Sequence, residues 1–548
     1  MRYRKFEWLL GRAKRTLCWV GLVSCVAALP SDRGDSGLAI AATSGFRGVF
    51  TYHNDNARTG ANLAETILTS TNVNSSKFGK LFSYTVDGEI YAQPLYARNV
   101  SIPHQGKHNV VYVVTEHDSV YAFDADGKQS APLWTHSFLN PAAGITSVPA
   151  GDTGSDDLTP EIGVTSTPVI DPVSGIIYVE SVTKQSSGGN STYSHQLHAL
   201  SLSSGAEKFG GPREITASMN ATGDGSSGGT LAFDSLHQRQ RAALLLSKGI
   251  IYVAFASYSD NNPYHAWVIA YNAHTLRQVG CFNGTPDGSR GGIWQTGNGP
   301  ASDLAGAVFV GTGNGTFDAN SGGRDYGDSL LKLTRKGSSV SLADYFTPAN
   351  QQALNDSDAD FATGGPLLLP DQSVGSKHLA LIPDKGGTLY LVNRDNLGHF
   401  NAAGDTQIVQ EFQVSGGMFS SLAYFNGRIY VGPVSSLLAS YPLSGGQINT
   451  SGRVTASASF GFPGVTPAIS ANGTKNGIVW VIDTGNAESG SAVLYAFDAT
   501  TMAKLYDSTQ AGSRDTAGIA VKFATPTIAA GRVYVGTQAE LDVYGLLP

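Results

Sequence analysis

Residues with proton-transferring or metal-binding side chains recur in the polar links between short hydrophobic runs. They are carboxylates, imidazoles, one amide and one ammonium: Glu116, His117, Asp118, His265, Asn314, Asp318, Asp325, Asp328, Lys385 and Glu540. Carboxylates and imidazoles can transfer protons, and carboxylate and amide oxygens are ligands that calcium prefers. These residues are far apart in sequence, so any site that they form must be assembled by the fold.

Several common catalytic and binding motifs are absent from the sequence. The twelve histidines show no zinc spacing such as H-E-x-x-H, and no C-x-x-C-H segment could attach a haem. The glycine-rich segment 223–229 lacks the lysine of a phosphate-binding loop, and "DADG" at 124–127 is explained by a turn. A net charge of −7 also argues against a nucleic-acid partner.

The polar links separate recurring strand patterns. An apolar-x-small-aromatic-polar pattern, as in "VYAFD" at 120 and "LYAFD" at 494, occurs eight times at spacings of 47 to 77 residues. Most copies follow a glycine, an apolar stretch and an aromatic–valine pair, as in "GIIYVA" at 249, and before that a run such as "TPTIA" at 525. Alternating apolar residues bounded by glycine and asparagine indicate β-strands. The 66 glycines and 14% charged residues agree with many short strands joined by turns.

Eight such units predict an all-β fold, an eight-bladed β-propeller of four-stranded antiparallel blades. One unit is too small to bury its own faces, so neighbouring units must stack around an axis. The last unit ends at "LDVYGLLP" without a fourth strand, and an unmatched strand, "KLFSYTV", lies at 80–86. We expect this N-terminal strand to complete the eighth blade and remove an open edge. The alternative, a seven-bladed ring with a stray hairpin, leaves that edge unpaired.

Loop lengths indicate which face of the propeller binds a ligand. Links from first to second strands are short, whereas links from second to third strands and between blades are long, as at 181–196, 213–241 and 312–328. In a propeller the two long classes emerge on the same face. Insertions concentrated on one face mark the binding face, and the polar residues named above fall there.

The repeat resembles that of the pyrroloquinoline-quinone (PQQ)-dependent alcohol dehydrogenases and their non-enzymatic relatives. "VYAFDADGKQSAPLW" at 120–134 carries this resemblance, which extends over roughly residues 48–548. Three further stretches are more specific: "GGIWQTGNGPASDLAGAVFVGTGNG" at 291–315, "DYFTPANQQALNDSDADFATGGPLLL" at 344–369 and "DKGGTLYLVNRDN" at 384–396.

The resemblance implies a quinone site with calcium. It places Trp294 beneath the quinone, Asn314 as a calcium ligand and Lys385 against the quinone. The stretch 344–369 holds the place of the catalytic aspartate, which would also lie at the calcium; Asp358 is favoured in a register that is open among Asp356, Asp358 and Asp360. Calcium would polarise the quinone, and the aspartate would take the alcohol proton. Structural explanations also exist, because tryptophan packs between blades and asparagine and lysine are common in turns.

The sequence also departs from that family. The adjacent-cysteine disulfide that packs over the quinone is absent, since the chain contains only Cys18, Cys25 and Cys281. The acidic calcium ligand of the second blade has no clear counterpart, because Glu180 is near but out of register. The sequence therefore leaves open the alternative that the cofactor site is altered or lost.

The N-terminus is typical of an export signal. Residues 1–15 are basic, and 16–30 are apolar but too short to span a bilayer. Cleavage at "LVSC" would leave a lipid anchor at Cys25, whereas an ordinary signal peptidase would cut within 38–43. Either processing predicts an exported protein that is periplasmic, anchored to the outer membrane or secreted.

These observations predict three regions and three function classes. The regions are an export segment and leader (1–42), an N-terminal extension packed on the propeller (43–79) and the propeller itself (80–548). The first function is PQQ- and calcium-dependent oxidation of an alcohol, aldehyde or sugar, with a periplasmic electron acceptor. The second is a non-catalytic propeller that binds a protein or glycan, resembling outer-membrane assembly lipoproteins. The third is another enzyme that uses the same face.

Overall fold

The computed structural model describes residues 47–487 and 489–548, which form an all-β structure. The predicted export segment and the two cysteines within it, Cys18 and Cys25, lie outside the described residues. The one α-helix in the described ranges, α1, has six residues, and no helix there has the length and apolarity needed to cross a bilayer.

The strands up to the second repeat unit have the following bounds: β1 (Gly48–Val49), β2 (Ala61–Asn62), β3 (Phe78–Thr85), β4 (Leu95–Ile102), β5 (Gly106–Val114), β6 (Ser119–Asp124), β7 (Trp134–Ser137), β8 (Ile145–Pro149), β9 (Glu161–Ile162), β10 (Val169–Asp171), β11 (Ile176–Ser187), β12 (Asn190–Ser201), β13 (Arg213–Glu214) and β14 (Ser218–Asn220).

The elements of the middle of the chain follow in the same way: β15 (Thr230–Ala232), β16 (Gln238–Arg239), β17 (Leu245–Ser247), β18 (Ile250–Ala254), β19 (Ala256–Ser257), β20 (Trp267–Asn272), β21 (Gln278–Asn283), β22 (Ala301–Ser302), β23 (Val308–Gly311), β24 (Leu330–Lys336), β25 (Ser339–Thr347), α1 (Gln351–Asp356), β26 (Leu367–Leu368), β27 (Leu379–Pro383) and β28 (Thr388–Asn393).

The C-terminal strands complete the set: β29 (His399–Phe400), β30 (Gln410–Gln413), β31 (Ala423–Phe425), β32 (Arg428–Val431), β33 (Ser436–Ser444), β34 (Gln447–Ile448), β35 (Val454–Phe460), β36 (Ala468–Asn472), β37 (Lys475–Asp483), β38 (Val493–Asp498), β39 (Lys504–Asp507), β40 (Thr527–Ala529), β41 (Arg532–Gly536) and β42 (Glu540–Leu546). Short 3-10 turns lie at Pro141–Ala143, Ala150–Thr153, Gln295–Gly297, Ala319–Ser321, Thr450–Gly452 and Gly512–Asp515.

Within the described residues these strands form eight sheets of four or more strands and two small ribbons. In chain order the large sheets contain β4–β7 with β1 (sheet 1), β10–β13 with β8 and β9 (sheet 2), β17, β18, β20 and β21 (sheet 3), β22–β25 with β29 (sheet 4), β26–β28 with β30 (sheet 5), β31–β35 (sheet 6), β36–β39 with β2 (sheet 7), and β40–β42 with β3 (sheet 8). The eight copies of the repeated pattern fall on β6, β12, β20, β24, β28, β33, β38 and β42, so the strand prediction is confirmed.

The first and last strands of the repeat region pair with each other. Strand β3 runs antiparallel to β42, from Phe78 opposite Leu546 to Thr85 opposite Glu540, with one irregularity after Lys80. This is the pairing that the unmatched strands at both ends predicted. It covers the edge of β42, which would otherwise expose a row of unpaired backbone groups.

Hydrophobic cores lie between neighbouring sheets rather than within one centre. Buried apolar clusters join each sheet to the next in chain order, and one cluster joins sheet 8 and sheet 2 to sheet 1. The aromatic–valine strands supply much of this core; all five residues of β18, for example, are buried. Each sheet therefore buries two faces against different partners, as the repeat pattern requires.

The segment at residues 47–65, which we call the girdle, contacts every large sheet. It does so at the first strand of each repeat unit, which is β4, β10, β17, β22, β26, β31, β36 or β40 in sheets 1 to 8. It supplies β1 and β2, which pair with β4 and β36. Its hydrogen-bond partners, in order from sheet 1 to sheet 8, are Arg98, Ile170, Leu246, Ser302, Leu368, Tyr424, Ile469 and Ile528. The first strands of the eight repeat units therefore gather around this one short segment.

Arg58 anchors the girdle at the centre of these strands. Its side chain has no solvent exposure, and its guanidinium makes five hydrogen bonds. The acceptors are the carbonyls of Tyr52, Leu244 and Pro300, the last of these twice, and the Thr51 hydroxyl. A guanidinium has five N–H donors, so its hydrogen-bonding capacity is satisfied.

Candidate functional site

A pocket of about 210 Å³ lies where several links between sheets meet. Its walls combine aromatic and charged side chains, namely Asp157, Arg241, Ser259, Asp260, Trp294, Thr296, Asp360, Thr363, Lys385, Phe419, Phe462, Lys522 and Phe523. Six of these, Arg241, Trp294, Asp360, Phe419, Phe462 and Phe523, precede the first strand of a sheet by no more than seven residues. Equivalent positions in successive repeat units therefore line the pocket, and the side chain at that position differs from one unit to the next.

The residues singled out in the sequence come from neighbouring loops of sheets 4 and 5. Trp294 immediately precedes the 3-10 turn Gln295–Gly297, and Asn314 follows β23 in a Thr-Gly-Asn-Gly turn. Asp358 and Asp360 follow α1, and Lys385 lies in the tight turn between β27 and β28. Polar turn residues are therefore held by short, rigid strands on either side.

These residues form one hydrogen-bonded network. The Lys385 ammonium lies 2.7 Å from Asp358 and 3.5 Å from Asp360. The Asn314 side-chain Nδ2 donates to Asp358 at 3.0 Å, and its backbone N–H donates to Asp360 at 2.9 Å. Asn314 and Lys385 are thus held by both aspartates at once.

Gly313 allows Trp294 to pack beside the hydrogen-bonded network of Asn314, Asp358, Asp360 and Lys385. A Cβ atom at Gly313 would lie 2.2 Å from the Asp360 Oδ1 atom and 2.8 Å from the Trp294 ring, so glycine is required there. On its other side Trp294 meets Tyr264 edge to face, with ring centroids 6.1 Å apart. The indole is thereby fixed next to the carboxylate, and both line the pocket.

The three aspartates that the sequence left open differ sharply in environment. Asp356 ends α1 and accepts a hydrogen bond from Gln352. The Asp358 side chain is 65% exposed and pairs with Lys385, whereas Asp360 is 10% exposed and lines the pocket. Burial raises the pKa of Asp360 to about 6, although the Asn314 N–H and Lys385 lower it. The carboxylate at the pocket wall is therefore Asp360, not the favoured Asp358.

Two buried polar atoms of this site have no hydrogen-bond partner within the described part of the chain. They are Asn314 Oδ1 and Trp294 Nε1. Asp358 accepts from the Asn314 amide nitrogen, which turns Asn314 Oδ1 away from that carboxylate. Unpartnered buried atoms are costly in a finished interior, so they indicate where a ligand atom is expected.

An aromatic and cationic wall completes the pocket, and the sequence analysis did not find it. Phe462 contacts Phe419 and Phe523 edge to face, at centroid distances of 5.1 and 6.2 Å. The Arg241 guanidinium lies over Phe523 at 4.2 Å. The signal that could have revealed these residues is their shared position just before a first strand.

A second group of buried acids lies on the loops of sheets 1 and 2. Burial raises the pKa of Glu116 to about 7 and that of Asp118 well above its usual range. Both carboxylate oxygens of Asp118 are buried without a partner among the described residues. Glu180, the out-of-register candidate for calcium, instead pairs with His195 at 2.5 Å and is buried with it.

Metal ligands are sparse in the site as built by the protein alone. Among the residues that the structure describes, no group of three or more histidine, cysteine, aspartate or glutamate side chains is arranged to hold a metal ion. Asn314 Oδ1 and the Asp360 carboxylate are the oxygen donors closest in character to a calcium site.

Comparison with known proteins identifies the fold. No family model and no curated protein sequence matches the chain. Three solved structures are similar along nearly all of it. Quinohemoprotein alcohol dehydrogenase ADHIIG from Pseudomonas putida HK5 has a TM-score of 0.56 and 13% identity over 91% of this chain and 80% of its own.

The other two structures give nearly the same values. The quinohemoprotein alcohol dehydrogenase from Comamonas testosteroni has a TM-score of 0.55 and 14% identity, covering 92% of this chain and 81% of its own. A europium-containing methanol dehydrogenase has a TM-score of 0.55 and 14% identity, covering 91% and 98%. At such low identity the similarity establishes the fold alone. The chain therefore has a β-propeller fold similar to that of these three dehydrogenases.

Proposed function

We propose that this protein is an exported quinoprotein-like oxidoreductase that oxidises an alcohol, aldehyde or sugar with PQQ and calcium. The observation that carries the proposal is that Trp294, Asp360 and Lys385 line one pocket and that Asn314 is hydrogen-bonded to Asp360 in its wall. These residues belong to separate loops, and their types match what a flat, anionic, redox-active cofactor needs. The fold of the three similar dehydrogenases agrees with this assignment but does not decide it.

The pocket walls fit a quinone of this class. PQQ is a flat, fused-ring tricarboxylate, so an indole offers it a large rigid contact and cations offset its charge. Trp294 and Phe419 supply the aromatic surface, and Lys385 and Lys522 supply positive charge. The unpartnered Asn314 Oδ1 and Trp294 Nε1 atoms lie where contacts to such a ligand are expected.

Calcium would be held by the Asn314 amide oxygen and the Asp360 carboxylate. Calcium takes six to eight oxygen ligands, so a quinone and water must supply the others. When bound, the metal and quinone together supply the electron-accepting chemistry of the reaction.

The protein's own residues would prepare the substrate. With a pKa of about 6, Asp360 is mostly ionised at neutral pH and can accept the proton of a substrate hydroxyl. Lys385 contributes positive charge beside that carboxylate, and the Asn314 N–H fixes its orientation. Burial keeps water away from Asp360, which strengthens these interactions.

Reconstitution tests the proposal directly. Purified protein is titrated with PQQ in calcium buffer, with calorimetry and the quinone absorbance spectrum as readouts, and alcohol oxidation is then followed with an artificial electron acceptor. We expect saturable binding that Lys385→Met weakens and Lys377→Met, an exposed lysine elsewhere, leaves unchanged. Absence of both heat and spectral change would overturn the proposal.

The same proposal includes a closed, eight-bladed ring over residues 80–548, preceded by the extension at 43–79. The pairing of β3 with β42, the cores between consecutive sheets and the girdle support closure. Deleting residues 78–87 should expose an edge and remove most of the soluble protein. A soluble monomer with an unchanged melting temperature would contradict a ring closed in this way.

Export is proposed from the leader at residues 1–42, with a periplasmic, outer-membrane-anchored or secreted product. The mature chain should begin at Cys25, as a lipoprotein, or near residue 42. Intact-mass analysis of protein from its native host decides between these ends. A product that retains residues 1–15 would rule out a cleaved signal.

A second candidate is a non-catalytic propeller that binds a protein or glycan on the same face. The specific observation in its favour is that Glu180 is committed to His195, and Asp358 to Lys385. Both acids are thereby unavailable to a metal. Failure of quinone binding, together with saturable binding of a partner that a Phe462→Ala variant loses, would establish this candidate.

A further inference from the structure

The pocket has a buried end and an outer end. Asp360 lies at the buried end, with its side chain 10% exposed. Phe462 marks the outer end, since 52% of its surface is exposed. Phe523 and Arg241 continue from Phe462, with centroids 6.2 Å apart for the two rings and the guanidinium 4.2 Å over the second.

Arg241 differs from the other buried or half-buried arginines near the centre of the fold. Arg58 uses all five donors, and Arg239 forms an ion pair with Asp157 at 3.0 Å. Arg241 makes no hydrogen bond or ion pair to any residue that the structure describes, and its guanidinium lies over the Phe523 ring. The N–H donors of its guanidinium are therefore available to the pocket.

The other charges of the pocket are already engaged. Asp157 pairs with Arg239, Asp260 accepts a hydrogen bond from Tyr264, and Lys385 pairs with Asp358. Burial and the neighbouring Arg239 lower the pKa of Arg241 to about 10, so it remains charged at neutral pH. The Asp157 carboxylate acts on Arg241 electrostatically but does not pair with it, so the N–H donors of this cation remain available next to aromatic rings. Such a group favours an anionic ligand with a flat body.

We propose that the outer end of the pocket selects a substrate that carries a carboxylate on an aromatic ring, with Arg241 binding the carboxylate and Phe523 and Phe462 contacting the ring. The inference rests on the proposed function, in that it takes this pocket to be the substrate site. A guanidinium that lies over an aromatic ring keeps its N–H donors free, and its planar fork can bind a carboxylate through two parallel hydrogen bonds. The hydroxyl to be oxidised would then extend toward Asp360.

A carboxylate of the quinone cofactor has the same chemistry as that of a substrate. The test therefore uses three probes with wild type and variants: 4-(hydroxymethyl)benzoate, benzyl alcohol, which lacks the carboxylate, and PQQ itself. Binding of each is measured by calorimetry without any second ligand. Arg241→Gln is the test variant, Arg241→Lys retains charge without the planar fork, and Arg453→Gln is the matched control, an exposed arginine near Tyr441 at 6.0 Å.

We expect wild type to bind the aromatic acid about 10- to 100-fold more tightly than benzyl alcohol, because charged hydrogen bonds are among the strongest. Arg241→Gln should remove this difference, Arg241→Lys should retain part of it, and Arg453→Gln should leave it intact. Equal affinities in wild type would overturn the inference without requiring any variant to fold. The inference would also be overturned if Arg241→Gln lost PQQ binding but bound the aromatic acid as wild type does, because Arg241 would then be assigned to the cofactor.

The outcomes separate this inference from the proposed function. Arg241-dependent binding of the aromatic acid in a protein that binds no PQQ would support the inference and refute the quinone. PQQ binding and alcohol oxidation without preference for the carboxylate would support the proposed function and refute the inference.

Discussion

The girdle and the pocket both bury charged groups at the centre of the fold, but they differ in how those groups are satisfied. In the girdle, the Arg58 guanidinium donates five hydrogen bonds to protein acceptors. At the pocket, Trp294 Nε1 and the Arg241 guanidinium form no hydrogen bond with the described residues, and neither does Asn314 Oδ1, whose residue is bonded to Asp360 of the pocket wall. Saturation stabilises the structure, whereas unpartnered groups are available to a ligand. The difference separates a structural centre from a binding centre within one fold.

The largest expected effect comes from Arg58→Ala. The change removes five hydrogen bonds and leaves buried carbonyls without donors, so it should cost about 5 kcal/mol or more of unfolding free energy. Soluble yield and urea unfolding measure this loss. Arg453→Ala, at an exposed position, is the control. A variant as stable as wild type would break the comparison, since saturation would then not stabilise the centre.

Asp360→Asn should act on the reaction rather than on the fold. Loss of the base should lower kcat by about 10²- to 10⁴-fold while PQQ still binds. In wild type the active form is the ionised carboxylate, and a bound calcium ion would lower its pKa from the value of about 6 in the metal-free protein, so kcat/KM should rise with pH on the acid side of about 6. Asp358→Asn, at the exposed neighbour, should retain most of the rate. The opposite ranking of the two variants would return the base to Asp358.

Asp118→Asn tests how an unpartnered buried acid outside the pocket lining affects the stability of the folded protein. Burial raises the pKa of Asp118, so the folded protein retains a proton that the unfolded chain loses above about pH 4. Stability therefore falls as pH rises from there toward the folded pKa. The amide should stabilise the protein at neutral pH by about 1–3 kcal/mol and flatten this dependence. Thermal unfolding at pH 4 and pH 7 measures it, with exposed Asp156→Asn as control; an equal melting-temperature change in both variants would contradict it.

The smallest expected effect is that of Trp294→Ala on quinone affinity. Loss of the stacked indole should cost about 0.5–1.5 kcal/mol beyond the lost contact area. Calorimetry with PQQ measures this, and Trp134→Ala, at a tryptophan outside the pocket lining, is the control. Unchanged affinity would show that Trp294 is a packing residue with a structural role, as the girdle residues have.

The sequence predicted strands well because their signal is local. Alternating apolar residues bounded by glycine identified the strands of the repeats, and unmatched ends identified the pairing of β3 with β42. Trp294, Asn314 and Lys385 were found because two continuous stretches, 291–315 and 384–396, resemble segments of a known family. The register of the aspartate was not resolved, because Asp358 and Asp360 are two residues apart and differ only in burial.

The rest of the site has no local signature. Arg241 and Phe523 are nearly three hundred residues apart in sequence, and only the arrangement of sheets brings them into contact. The girdle was likewise expected to lie on the propeller as an extension, without its central contacts. Most of its bonds reach main-chain atoms, which every residue possesses, so no pattern of side chains announces them.

The girdle also orders the events of synthesis. It leaves the ribosome before all eight of the strands that it contacts, and its bond to Ile528 spans 466 residues of chain. A nascent chain can form individual sheets early, but it cannot surround this segment until the last strands exist. Contacts of such long range slow folding, since loop closure must precede them. Truncated products should therefore retain sheets with an unfilled centre, and only full-length translation can complete the native state.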